Sequence, residues 1–80
     1  MDVRKSYTVK SGFKSVGLAI IYNGLDEAKA REVFAWEEDL LKNFNSPNTM
    51  VILYSRELEV SSPRTEVLAE FHMSTWEGDE

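Results

Sequence analysis

The stretch VFAWEEDLL, residues 33–41, is the centre of the pattern that decides the fold. When residues are spaced 100° apart around a helix, the apolar side chains of this stretch and its flanks share one side. That side is formed by seven apolar residues: Ala30, Val33, Leu40, Leu41 and Phe44, with Phe34 and Trp36 at its edges. The opposite side is charged, so the sequence predicts one amphipathic helix that covers one face of a sheet.

The signals at both ends set the length of this helix. Asn23 or Gly24 can cap its amino end, and Glu27 places negative charge at the positive end of the helix dipole. Pro47 disfavours helical angles in the residue before it. We therefore expect the helix to end near Phe44.

Four segments with strand patterns flank the helix. Residues 3–10 alternate between polar and apolar, SGFK (11–14) forms a turn, and residues 15–22 are apolar on both sides. Residues 49–59 contain the run MVILY, which predicts a central strand, and residues 65–73 form the last strand. The fold class is thus α+β, a single four-stranded, mostly antiparallel sheet with one helix on one face (β-β-α-β-β). The strand order stays open, and the long crossover can make the second and third strands a parallel pair.

Length and composition indicate one small domain. Eighty residues form a single domain, here residues 1–75, followed by a polar acidic tail at 76–80. The lack of Cys excludes disulfides and thiolate zinc sites and fits a cytoplasmic location. The longest apolar runs are too short to span a membrane as helices.

Charge is unevenly distributed along the chain. The formal net charge is −5, yet residues 1–14 hold four cations and one acid. An acidic protein repels phosphate backbones, which disfavours nucleic acid as a partner. Nucleic-acid binding through the basic first strand stays open as an alternative.

Glu37 lies near the centre of the apolar side of the helix. A carboxylate there must find a partner, become protonated or reach solvent. One interpretation rotates the helix, so that Glu37 lies at the edge of a groove. A second gives it a strand cation or hydroxyl beneath the helix, with Arg56 the best candidate for a structural polar pair. A third makes it a catalytic carboxylate, but no second acid or nucleophile accompanies it, so we predict a structural role.

One helix covers only one face of a four-stranded sheet, and two strands are apolar on both faces. We assign to the helix the face that holds Val16, Leu18, Ile20, Met50, Ile52 and Tyr54. The other, uncovered face then holds Ala19, Ile21, Val51, Leu53 and Leu68. An exposed apolar patch of this kind is typical of an interface. A second copy, another protein, or Phe13 and Trp76 folding back can cover it.

Known patterns of catalysis and cofactor binding are lacking in the sequence. There is no glycine-rich phosphate loop, no metalloprotease motif and no nucleophile elbow, and His72 is the only histidine. We expect no enzyme activity, no cofactor and no metal site. The acids form a possible second binding element, a carboxylate stripe that imitates phosphate spacing: Glu57, Glu59, Glu66 and Glu70 on the strands, with Glu38 and Asp39 on the helix. The alternative is that these are ordinary solvated acids.

Three segments carry a resemblance to a known family: YTVK (7–10), GLDEAKAREVFAWEEDLL (24–41) and LYSRELEV (53–60). Together they resemble the small phage-encoded inhibitors of bacterial RNA polymerase, whose helix likewise opens with LDEA. In that family a pair of strand arginines contacts the polymerase; Arg56 matches one of them, and Tyr54 stands at the other position. The resemblance implies a compact fold that occludes a surface of a larger host machine. Anti-CRISPR proteins are a similarly small and acidic alternative.

These observations predict a non-enzymatic protein-binding domain, such as a phage-type inhibitor or accessory protein. Its predicted partner-binding residues are those of the uncovered face together with Arg56, Glu57, Glu59, Glu38 and Asp39. The first alternative is a structural homodimer that buries the uncovered face between two copies. The second alternative is nucleic-acid binding through the first strand.

Overall fold

A computed structural model describes residues 4–44 and 47–73 of the chain. Its elements, in chain order, are β1 (Lys5–Phe13), β2 (Gly17–Gly24), α1 (Glu27–Phe44), β3 (Thr49–Glu57) and β4 (Thr65–Met73). The predicted α+β class and the order β-β-α-β-β are confirmed. The proposed tail, 76–80, lies outside the described residues.

The four strands form one antiparallel sheet in the order β2-β1-β3-β4. β1 is antiparallel to both β2 and β3 and lies between them. The suggestion that the second and third strands pair in parallel is therefore wrong, because the helical crossover passes over β1. The central position expected for the MVILY strand is confirmed, since β3 pairs with β1 and β4.

The turn between the first two strands lies further along the chain than predicted. β1 continues through Phe13, which pairs with both Gly17 and Thr49, so SGFK is mostly strand. The turn is formed by residues 14–16. Val16 is therefore 85% exposed rather than part of a strand face.

Asp26, not Asn23 or Gly24, caps the helix. Its carboxylate Oδ1 accepts a hydrogen bond from the Lys29 N–H at 3.1 Å, the geometry of an N-cap. The predicted caps are wrong because β2 extends to Gly24. The helix ends at Phe44, as predicted.

The core lies between α1 and one face of the sheet. It contains five buried apolar side chains: Val9, Val51 and Leu53 from the strands, Ala30 and Phe34 from the helix. The helix is rotated slightly from its predicted orientation, because Phe34 lies at the centre of the contact. Trp36 and Phe44, which were assigned to the apolar side, are 63% and 74% exposed.

Candidate functional site

The helix covers the opposite face of the sheet from the one predicted. Val51 and Leu53, assigned to an uncovered face, are fully buried in the core beneath α1, and Leu68 packs against the same core. Ala19 lies opposite Ser11, which contacts the helix, and Ile21 is an extra residue in the register of β2. The assignment of Ala19, Val51, Leu53 and Leu68 to the uncovered face is wrong, because alternation separates the two faces of a sheet without showing which one the helix covers. For Ile21, which is 41% exposed, the assignment stays a prediction.

The helix-free face is the side of the sheet away from α1. Its apolar side chains are Leu18, Ile20, Met50, Ile52, Tyr54 and Val67. Ile20 and Val67 are 57% and 50% exposed, and the other four are half-buried. Its charged or titratable side chains are Lys10, Arg56, Glu70 and His72.

The cross-strand register orders this face in rows. Ile52 on β3 lies opposite Lys10 on β1 and opposite Glu70 on β4. Tyr54 lies one row along, and Lys10 Nζ is 5.5 Å from the centroid of its ring. A cation, an apolar side chain and an acid therefore lie side by side across the middle of the face.

Phe13 and Trp76 were considered as a cover for an uncovered face. Phe13 is 52% exposed and lies opposite Thr49, which is buried on the helix side of the sheet. Phe13 therefore does not cover the helix-free face. Trp76 lies outside the described residues.

Glu37 faces the sheet and is held by a hydroxyl. Ser11 Oγ, on β1, donates a hydrogen bond of 2.7 Å to Glu37 Oε2. Ser11 is buried and Glu37 is half-buried. Arg56 is exposed on the other face, so the proposed Glu37–Arg56 pair is wrong. The predicted alternative of a strand hydroxyl beneath the helix is confirmed.

Ser11→Ala is expected to destabilise the domain by about 1–3 kcal/mol, because a half-buried carboxylate loses its donor. We expect Glu37→Leu to lower the free energy of unfolding less in the Ser11→Ala background than in the wild type, since the hydrogen bond is already broken there. Urea unfolding of the double-mutant cycle measures this coupling.

Ser6→Ala is the matched control, since Ser6 lies on the same strand but on the other face. It is expected to change the unfolding free energy by less than about 0.5 kcal/mol. Equal losses for Ser11→Ala and Ser6→Ala would contradict the assigned pair.

Tyr7 lies on the helix side of β1 and packs against the core. Burial and, next, the Glu27 carboxylate raise the pKa of the Tyr7 phenol above its ordinary value, while Arg31 acts in the opposite direction. The phenol therefore stays neutral beneath the first turns of the helix well into alkaline pH.

The acids do not form one stripe. Glu66 lies opposite Ser55 on the helix side of the sheet, Glu70 lies on the helix-free face, and Glu59 follows the end of β3. The four acids predicted to bind a partner all have contacts within the chain. Glu57 accepts a hydrogen bond from the Arg64 N–H, and Glu59 forms an ion pair with Arg4. Glu38 forms an ion pair with Lys42, and Asp39 accepts a hydrogen bond from Asn43. The stripe prediction is wrong because these acids are spread over both faces and the helix.

The described part of the chain holds neither a candidate metal cluster nor a membrane-spanning helix. Residues 4–44 and 47–73 contain no group of three or more His, Asp or Glu side chains placed to hold a metal ion. His72 Nε2 contacts the Glu70 carboxylate next to it. No helix in these two ranges is long and apolar enough to cross a membrane.

Comparisons of the chain with protein-family models, with curated proteins and with solved structures find no match. The resemblance to phage inhibitors of RNA polymerase therefore stays a prediction. The geometry alone identifies the helix-free face as the candidate site.

Sequence reasoning missed two features of this site. Ser11 was placed in a turn, so it was not considered as the partner of Glu37. The row of Lys10, Ile52 and Glu70 depends on the strand order, which the sequence left open. The sequence offers one hint of this row: Lys10, Ile52 and Glu70 each occupy an even-numbered position in a strand whose side chains alternate between the two faces.

Proposed function

We propose that this chain is a non-enzymatic protein-binding domain of the cytoplasm and that the helix-free face is its docking surface. The observation that supports this most is the group of six apolar side chains on that face, with Ile20 and Val67 at least half exposed. Contiguous apolar patches on a small domain usually mark an interaction site.

The edges of the sheet support docking through the face. The two edge strands are β2 and β4, and each carries a bulge, at Ile21 and at Leu68. Bulges distort an edge and hinder the pairing of another strand with it. The flat side of the sheet is therefore the better docking surface.

The cations of the helix-free face support an expectation about the chemistry of the partner. Lys10 and Arg56 flank Tyr54 on this face, although the protein as a whole is acidic. A complementary protein surface is apolar and presents carboxylates to these two cations. The resemblance to phage inhibitors agrees with a docked host protein and suggests bacterial RNA polymerase as the first one to test.

Nucleic acid is supported less well by the same face. Single-strand binding uses several aromatic side chains on one platform. Tyr7 and Tyr22 pack against the core, and Phe13 lies on the helix side, so Tyr54 alone of these four aromatics lies on the helix-free face.

Arg56→Glu is expected to weaken binding to purified bacterial RNA polymerase at least about tenfold, because it places an acid against the partner's carboxylates. Biolayer interferometry with immobilised polymerase measures this effect. Arg31→Glu is the matched control, since Arg31 is exposed on the helix, and it should bind like the wild type.

Circular dichroism should show that both variants are folded, because both arginines are exposed. Equal binding by the wild type and Arg56→Glu would refute docking through the helix-free face. No binding by the wild type would exclude the polymerase as the partner.

A further inference from the structure

The charges of the helix-free face are arranged antisymmetrically about β3. Lys10 lies on one side of Ile52 and Glu70 on the other, in the same cross-strand row. A surface with this arrangement is complementary to itself under a two-fold rotation about an axis parallel to β3. The rotation exchanges the β1 side of one copy with the β4 side of the other.

The central apolar residues meet their own equivalents under this rotation. Met50, Ile52 and Tyr54 project from β3 and lie along the axis, so each packs against its counterpart. Sheets packed face to face lie about 10 Å apart, a distance that interdigitating side chains fill. The centre of such a contact is apolar, as in ordinary homodimer interfaces.

In a dimer formed by this rotation, two ion pairs would flank this centre. Lys10 of each copy faces Glu70 of the other, so the pair occurs twice. Within one copy, β3 lies between the strands that carry Lys10 and Glu70. Among the described residues, Glu70 contacts only its neighbour His72. Docking of a second copy therefore gives each acid a cation that its own chain does not supply.

Arg56 does not prevent this arrangement. It lies four residues from Ile52 along β3, towards the end of the face. Aligned sheets cross at about 30°, so the two copies of β3 diverge towards their ends. The two Arg56 side chains are thereby separated and stay in solvent at the rim.

The size of the face fits a weak dimer. The rotation about β3 superposes only β1, β3 and β4 of the two copies, because β2 then lies beyond β4 of the partner. These three strands of nine residues, spaced by about 4.8 Å with about 3.3 Å per residue, give a flat footprint of about 430 Å². A standard interface buries about 800 Å² per partner. The overlap is about half of that area, so we expect weak, reversible association that needs concentrations above the micromolar range.

We infer that in the isolated protein the part of the helix-free face on β1, β3 and β4 is covered by a second copy of the chain, in a two-fold dimer held by reciprocal Lys10–Glu70 pairs about a centre of Ile52. The inference rests on the proposed function, because it uses the same docking surface. It adds that self-association competes with any other partner for that surface.

Charge exchange tests the pairing directly. In a Lys10→Glu dimer, acids face each other twice; in a Glu70→Lys dimer, lysines face each other twice. Each variant alone should dissociate at least about tenfold more readily than the wild type. An equimolar mixture should dimerise again, because both contacts between the two different variants join an acid to a lysine.

Sedimentation equilibrium from low micromolar to millimolar concentration measures all these species. The double variant Lys10→Glu with Glu70→Lys should also dimerise, and Lys29→Glu, on the exposed side of the helix, should behave like the wild type. Thermal unfolding followed by circular dichroism identifies any variant that fails to fold.

Three outcomes would overturn the inference: a wild type that stays monomeric, single variants that dimerise unchanged, or a mixture that stays monomeric. A monomeric wild type removes the second copy but leaves docking to another protein intact, because the Arg56→Glu assay measures that separately. A dimer combined with no effect of Arg56→Glu on polymerase binding would remove docking of the host protein on this face and keep the second copy.

Discussion

Replacing Leu53 with alanine is expected to destabilise the domain by about 2–5 kcal/mol. Leu53 is fully buried at the centre of the sheet and packs between α1 and the neighbouring strands. Its truncation removes apolar burial and leaves a cavity that the surrounding elements cannot fill completely. A domain of this size has only about 4–12 kcal/mol of total stability, so the variant should be partly unfolded near body temperature.

Urea unfolding followed by circular dichroism measures this loss. Ile20→Ala is the control, since Ile20 is of similar size but lies mostly exposed on the helix-free face. At protein concentrations where the chain is monomeric, it should lose less than about 1 kcal/mol. Similar losses for the two variants would mean that the helix does not cover the Leu53 side of the sheet.

The second large effect is expected at Gly12, where alanine should cost about 2–5 kcal/mol. Gly12 has φ +157°, a conformation that L side chains rarely adopt. A Cβ placed there would lie 2.6 Å from the carbonyl oxygen of Gly17 on the adjacent strand. The strands would have to separate at this point, next to the turn that joins β1 and β2.

Gly17→Ala separates the two causes of this loss. Gly17 also has a positive φ, +129°, but a Cβ there would have no atom within 4 Å apart from those of Gly17 and its two chain neighbours. It should therefore show the backbone strain alone, about 1–3 kcal/mol. Thermal unfolding of both variants gives the comparison, and a Gly17→Ala loss equal to that of Gly12→Ala would contradict the close contact.

The architecture follows from local patterns that the sequence shows clearly. The helix of VFAWEEDLL, its end at Phe44 and the two flanking strand pairs were predictable, because each depends on neighbours in the sequence. Which face of the sheet the helix covers was not predictable from the sequence. Val51 and Leu53 alternate with Ile52 and Tyr54 in one apolar run, so hydrophobicity does not distinguish the buried side from the free one.

The partner of Glu37 shows a second limit. The spacing of the helix correctly directed this carboxylate towards the sheet, and a polar partner was required on physical grounds. Identifying Ser11 needed the length of β1, which extends past Gly12 because glycine tolerates the unusual backbone there. Arg56 was excluded only when the register placed it on the far side of β3.

The position of β1 between β2 and β3 also determines how the chain folds in time. The β1–β2 and β3–β4 hairpins are local and can form within microseconds. The seam that joins them pairs Phe13 with Thr49 and Lys5 with Glu57, so β2 and the whole helix lie between the partners in the sequence. Closing that loop costs entropy before its contacts form, so we expect pairing of β1 with β3 to be the slow step of folding. During synthesis on the ribosome, the amino-terminal hairpin can form early, but we expect the core around Leu53 to form only after β3 has been made.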